Sequence, residues 1–194
     1  MSKLEIVKGD ITKQEVDAIV NAAHEGLCGG GGVDGAIHKA AGPMMTGECM
    51  NLPVNPYGER CPVGECRMTG GYDLPALYIL HTVGPVWQGG KRDELRLLST
   101  CYGSCLYMAD RQGLQSIAFP CISTGAFAFP KEKAAKVALQ SVALWIRNRT
   151  LAANSGMPRD HNPDLNISSI SIVCFDEESY QEYLRLIPDG QSEI

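Results

Sequence analysis

The residues best suited to chemistry fall in three short loops, each directly after an apolar run. They are Gly9-Asp10-Ile11-Thr12, Gly29-Gly30-Gly31-Gly32-Val33-Asp34-Gly35 and Ser123-Thr124-Gly125-Ala126-Phe127. Four consecutive glycines carry no Cβ to hold a ligand off the backbone, at an entropic cost to folding. Between a strand and a helix, such a run presents several N–H groups to a diphosphate. A flexible linker is the alternative, but it fits poorly between a buried strand and a helix. The spacing matches neither G-x-G-x-x-G nor a phosphate loop ending in G-K-[ST]. The run therefore reads as a phosphate-binding loop of another type. Ser123–Ala126 reads either as a second cradle or as a simple turn.

Asp34 stands inside the glycine run, where a carboxylate can orient or deprotonate a water. Spacing alone favours the plainer role of capping the helix that follows. Asp10 can accept a hydrogen bond from a nucleobase amino group, and it can equally cap the next turn. Phe127, Phe129 and Phe175 sit where they can stack on a base or ribose, although aromatics at strand ends more often pack in core or rim. His38 and His81 read as hydrogen-bonded structural residues. G-x-S-x-G and H-E-x-x-H are both missing from the sequence, so neither a nucleophile-elbow serine hydrolase nor a zinc protease of that type is expected.

These loops need rigid elements to hold them. Runs at Leu4–Val7, Val16–Asn21, Tyr78–Val83, Ser116–Pro120 and Ile167–Phe175 predict strands, and Glu65–Thr69 reads as a further short one. The nearly continuous apolar character of the second predicts burial on both faces. Helices are predicted over Ala36–Ala41, Met44–Leu52, Asp93–Asp110, Lys131–Arg147 and Ser179–Leu186. Asp93–Asp110 carries apolar Leu95, Leu98, Cys101, Cys105 and Met108 at helical spacing. Pro53–Gly64 and the polar stretch Leu151–Asn166 predict loops. Strands alternate with helices throughout, so the expected architecture is an α/β layered fold around one central sheet, a single domain over residues 1–194. In such sheets ligands sit beyond the strands' carboxyl ends.

The chain has 194 residues with 44% hydrophobic and 20% charged, an ordinary globular composition. Its formal net charge of -5 argues against a nucleic-acid-binding module, which needs clustered Lys and Arg. Eight cysteines form no C-x-x-C and have no matching histidine cluster, so they read as reduced core residues, with no metal. No apolar run approaches the ~18 residues of a membrane span, and the N-terminus lacks a signal-like core. A reducing cytoplasmic setting is the expectation.

Taken together, the blocks GDIT (Gly9–Thr12), VDAIVNAA (Val16–Ala23), GGGGVDGAIHKAAG (Gly29–Gly42), LPALYILHTVGPVW (Leu74–Trp87) and ISTGAFAFP (Ile122–Pro130) resemble the macrodomain family, in its MacroD-type branch. The resemblance runs from about residue 4 to residue 186. It implies a three-layer α/β/α sandwich with a mixed sheet and an ADP-ribose cleft. Asp10 would then bind the adenine amino group with Ile11 beside it. Gly30–Val33 and Ser123–Phe127 would hold the diphosphate and distal ribose, and Asn21 and Ala22 would also bind the ligand. Phe127 would lie on the ribose, Phe175 near the adenine, and Asp34 would act on the attacking water. The implied activity is hydrolysis of ADP-ribosyl esters on Asp or Glu side chains, or of O-acetyl-ADP-ribose. The implied partners are ADP-ribose and ADP-ribosylated proteins, with no cofactor, metal or membrane and the chain a monomer. The family usually reads N-A-A-N before the glycine run, whereas here it is Asn21-Ala22-Ala23-His24. Histidine can substitute for that Asn, add a general acid, or slow the reaction. A non-catalytic ADP-ribose reader is therefore the competing expectation. After the third loop the family's Gly-Tyr-Pro is replaced by Ala128-Phe129-Pro130, which removes a hydroxyl but keeps an aromatic.

Overall fold

Strands that are apolar on both faces must be covered on both faces, and the helices of this chain divide to do so. The computed structural model describes residues 2–154, 167–187 and 191–193. The strands are β1 (Lys3–Lys8), β2 (Ala18–Ala22), β3 (Cys66–Gly70), β4 (Tyr78–Thr82), β5 (Ser116–Pro120), β6 (Ser169–Cys174) and β7 (Gln191–Glu193). They form one mixed sheet in the order β3-β4-β2-β5-β6-β1-β7. The five inner strands pair in parallel, and β3 and β7 join the edges antiparallel. The five loops after the parallel strands consequently leave from one edge of the sheet.

The helices are α1 (Gly32–Ala41), α2 (Pro43–Asn51), α3 (Glu94–Arg111), α4 (Lys131–Asn154) and α5 (Glu177–Leu186). On one face, Ile37 and Ala41 of α1 and Met45 and Cys49 of α2 pack with Ile19, Ile79, Ala118 and Val173 of the sheet. On the other, Leu98, Tyr102 and Leu106 of α3, Ala138 and Val142 of α4 and Tyr183 of α5 pack with Val20, Leu80, Phe119 and Ile172. The result is the expected three-layer α/β/α sandwich. Tyr102 and Phe119 meet with ring centroids 5.0 Å apart, joining α3 to β5.

Several boundaries differ from those the sequence predicts. Helix α1 begins at Gly32, within the glycine run rather than after it. Helix α4 runs on to Asn154, so the loop predicted over Leu151–Asn166 starts in helix. Its residues 155–166 lie outside the described residues. The continuation is supported by Arg149, which pairs with Asp110 of α3, and by Thr150, whose hydroxyl donates to Ile146 O. In α3, Leu95 faces solvent, and the buried stripe runs through Leu98, Cys101, Tyr102, Cys105, Leu106 and Ala109. Val83 falls outside β4 and makes only an isolated bridge to Val63. Strand β7 was not predicted, since three residues are too few to show a period-2 pattern. Six of the eight cysteines are buried as expected, but Cys28 is exposed and Cys121 half-buried. Among the described residues no helix is long and apolar enough to cross a membrane.

Phe119 is fully buried between the sheet and α3. Replacing it with alanine is expected to cost about 3–5 kcal/mol through lost burial and the cavity left behind, measured by equilibrium denaturation. A cost under about 1 kcal/mol would mean that this contact is not part of the packed core.

Candidate functional site

A two-lobed cleft lies at the edge where the parallel strands end. One lobe, about 360 Å³, is lined by Ala22, Ala23, His24, residues 29–34, Gly84, Ser123, Ala126 and Phe127. The other, about 380 Å³, is lined by Gly9, Asp10, Ile11, Ala36, Thr124, Val173, Phe175 and Asp176, among others. Gly32, Val33, Cys121 and Gly125 line both, so the lobes meet at a waist. Each is of a size that holds a small-molecule group.

The glycine run reaches this waist because backbone packs directly on backbone. A Cβ on Gly35 would stand 2.3 Å from Gly30 O, so only glycine lets the loop fold back on the helix it starts. Gly29 (φ +81°) and Gly32 (φ +59°) turn through the left-handed region. Gly31 is the N-cap of α1 and supplies no side-chain cap, leaving first-turn N–H groups at the cleft without a side-chain acceptor. An anion suits that position.

The third loop is closed by hydrogen bonds from Ala128 N to Gly125 O and from Phe129 N to Ser123 O. Ser123 holds a left-handed φ of +66°, costly for a residue with a side chain. Its hydroxyl is buried, and its oxygen has no hydrogen-bond partner among the described residues. A Cβ on Gly84 would lie 2.1 Å from that oxygen, so the glycine after β4 is what admits the serine. Trp87 N then donates to Phe127 O at 2.9 Å, tying the loop after β4 to the same wall.

Asp34 lies in the first turn of α1 and is 5% exposed. Its Oδ1 accepts a hydrogen bond from Asn21 Nδ2 at 2.7 Å. His38, one turn along, brings Nε2 to 3.4 Å from the same oxygen, while its Nδ1 lies 2.9 Å from Thr46 Oγ1. The favoured expectation that Asp34 caps the helix is thereby corrected. Gly31 is the cap, and the carboxylate bonds a neighbouring strand instead. On β4, His81 is fully buried, and burial, with the nearby His38, pushes its imidazole down to about 3. It is therefore neutral near pH 7.

The cleft gathers most of the residues the sequence predicts. Asp10, Ile11, Thr124 and Phe175 line the second lobe. Ala22, His24, Gly30, Gly31, Asp34, Ser123, Ala126 and Phe127 line the first, with Gly32, Val33 and Gly125 common to both. Asn21 lines neither and is buried below Asp34. Asp10 does cap the short 3-10 turn Ile11–Lys13, its Oδ1 accepting from both Thr12 N and Thr12 Oγ1 at 2.8 Å, and it also faces the lobe. Phe175 is 83% exposed, whereas Phe129 is core, its ring tilted against Trp87 with centroids 4.7 Å apart. His24 sits on the rim, its Nδ1 accepting from Gly26 N at 3.3 Å and its Nε2 3.6 Å from Glu25 Oε2. Sequence reasoning missed Cys121, Gly84 and the approach of His38 to Asp34. The first two follow strands, as the three chosen loops do, and the third is an i,i+4 pair.

The Macro domain family pattern matches residues 20–138. A macro domain-containing protein of Listeria monocytogenes is 49% identical over 185 residues, covering 95% of this chain and 97% of that protein. The O-acetyl-ADP-ribose deacetylase 1 of Pantoea vagans is 44% identical over 188 residues, covering 96% and 99%. Among solved structures, the Oceanobacillus iheyensis macrodomain with ADP superposes with a TM-score of 0.83 at 38% identity, covering 97% of this chain and 91% of that one. The Trypanosoma brucei macrodomain in complex with ADP-ribose gives 0.78 at 36%, covering 95% and 68%. The chain belongs to the macrodomain family.

The neutral His81 carries a pH signature. Its folded value is depressed to about 3 from 6.5, so falling pH protonates the unfolded chain first. Its contribution to stability is fully present above about pH 6.5 and is lost as pH falls toward 3, at up to about 1.4 kcal/mol per pH unit. Denaturation of the parent and His81→Gln at about pH 6.5 and about pH 5 should show a shallower loss in the variant. Equal losses would mean that His81 is charged in the fold.

Proposed function

We propose that the cleft binds ADP-ribose and that the protein hydrolyses esters at its distal ribose. The substrates are mono-ADP-ribosylated Asp or Glu side chains of proteins, and O-acetyl-ADP-ribose. The observation that carries the proposal is a buried carboxylate, Asp34, oriented by a hydrogen bond and set in a lobe walled by glycine backbone. The deacetylase name of the Pantoea vagans relative and the ADP-ribose complex of the Trypanosoma brucei macrodomain support it.

In this reading the adenine occupies the second lobe, its amino group on Asp10 and its ring near Phe175, with Ile11 beside it. The diphosphate crosses the waist over the N–H groups of Gly31–Val33 and of the Ser123–Phe127 loop, which suit an anion. The distal ribose fills the first lobe against Phe127. Asp34 orients a water and takes its proton as the oxygen attacks the ester carbonyl. The bond from that carbon to the ribose oxygen then breaks, the ribose oxygen regains a proton, and a carboxylic acid and ADP-ribose leave. His24, whose Nδ1 accepts a hydrogen bond from Gly26, carries its proton on Nε2 when neutral. At the rim that Nε2–H is placed to hydrogen-bond the ribose oxygen, which regains the proton Asp34 took from the water.

Calorimetric titration with ADP-ribose, paired with release of ADP-ribose from a protein modified on acidic side chains, tests the proposal. Asp34→Asn should bind ADP-ribose within about threefold of the parent while release falls by about 100-fold or more. Equal release in the variant would remove Asp34 from the mechanism. His24 favours a second reading, a binding module without turnover. Tight binding with no release by the parent, and release gained in His24→Asn, would establish that reading instead.

A further inference from the structure

Asp34 is held from behind by groups that do not line the cleft. Asn21 Nδ2 lies 2.7 Å from Asp34 Oδ1 and 3.1 Å from His81 Nδ1. On the far side of the ring, His81 Nε2 lies 2.9 Å from Thr69 Oγ1, and that hydroxyl lies 3.3 Å from Gly70 O as its donor. Asn21, His81 and Thr69 are at most 2% exposed. They stand on adjacent strands, β2, β4 and β3, with Asn21 and His81 in direct register.

The donors and acceptors along this line can be arranged in one way. Turning the Asn21 amide over would set its oxygen against a carboxylate oxygen, so the NH₂ group faces Asp34 and gives its second hydrogen to His81. His81 must then accept at Nδ1. A neutral ring carries its proton on the other nitrogen, and Nε2–H donates to Thr69. Thr69 in turn donates to the Gly70 carbonyl, which ends the chain on the backbone. Each bond runs in one direction, and its last donor is the N–H on Asp34 Oδ1. The other carboxylate oxygen lies towards the glycine run, 3.2 Å from where a Cβ on Gly30 would be.

We propose that Asn21, His81 and Thr69 are positioning residues for the hydrolysis, a one-way hydrogen-bond relay that pins Asp34 Oδ1 and leaves Oδ2 to the water. This inference rests on the reading of Asp34 as the group acting on that water. Thr69 is the informative member, because it touches neither the cleft nor Asp34. Without its hydroxyl, the buried Nε2–H has no oxygen to meet, and Nε2 is left facing the Cys49 thiol at 3.7 Å. The favoured tautomer becomes Nδ1–H, which opposes the Asn21 N–H and releases Asp34.

The test is a trio: parent, Thr69→Val and Thr69→Ser. Valine keeps the shape, and serine keeps the hydroxyl. Expected for Thr69→Val is a fall in kcat of about tenfold or more, since small displacements of a reacting group carry large rate costs. KM and the ADP-ribose affinity should stay within about twofold, and Thr69→Ser should regain most of the rate. Imidazole ¹⁵N resonances supply a readout independent of turnover: Nε2–H in the parent and in Thr69→Ser, Nδ1–H in Thr69→Val. An unchanged kcat in Thr69→Val, a loss not restored by serine, or an Nδ1–H tautomer in the parent would each overturn the relay. A parent that binds ADP-ribose but releases none from its ester would instead remove the hydrolase reading and, with it, any positioning role.

Discussion

Gly30 O lies 2.3 Å from where a Cβ on residue 35 would stand, and that close approach shapes the cleft. Because the glycine run folds back on the helix it begins, α1 starts with its N–H groups open at the waist and Asp34 in its first turn. The carboxylate is then carried by a helix rather than by a loop, so its position follows the packing of α1 on the sheet. Ile37 and Ala41 of α1 belong to the core on that face. The site's geometry is thus tied to the same contacts that stabilise the fold.

The opposite wall meets a second steric demand. Ser123 stands in a strained backbone conformation, with its hydroxyl where only a glycine at 84 leaves room. Strain of that kind persists only where the surroundings over-determine it. Here the surroundings are the hydrogen bonds closing the loop and the Trp87–Phe127 link to the segment after β4. Both walls place main-chain atoms where a ligand would otherwise meet side chains.

Much of this was legible in the sequence, for physical reasons that differ from part to part. Inner strands such as β2 and β5 are apolar on both faces, so they stand out as short continuous runs. The three loops could be selected because ligand sites of α/β sheets follow strand ends. The start of α1 inside the glycine run was hidden, since glycine disfavours helix and only packing overrides that tendency. The end of α4 was hidden because the partner of Arg149, Asp110, lies on α3. Asn21 and His81 are 60 residues apart, and only the placement of β2 beside β4 brings them into register. Reading both histidines as structural followed from their places in a helix and a strand, and it missed that His38 approaches Asp34 itself and His81 the Asn21 amide that holds it.

The waist between the lobes has its own consequence. Gly32, Val33, Gly125 and Cys121 line both lobes, and two of the four have no side chain at all. A molecule threaded through it has the spacing between its two ends gauged mainly by peptide groups. Such a gauge is inherited with the fold rather than with individual side chains. Descendants of this chain are therefore free to vary what they recognise at either end of a ligand, yet remain committed to one length between the ends.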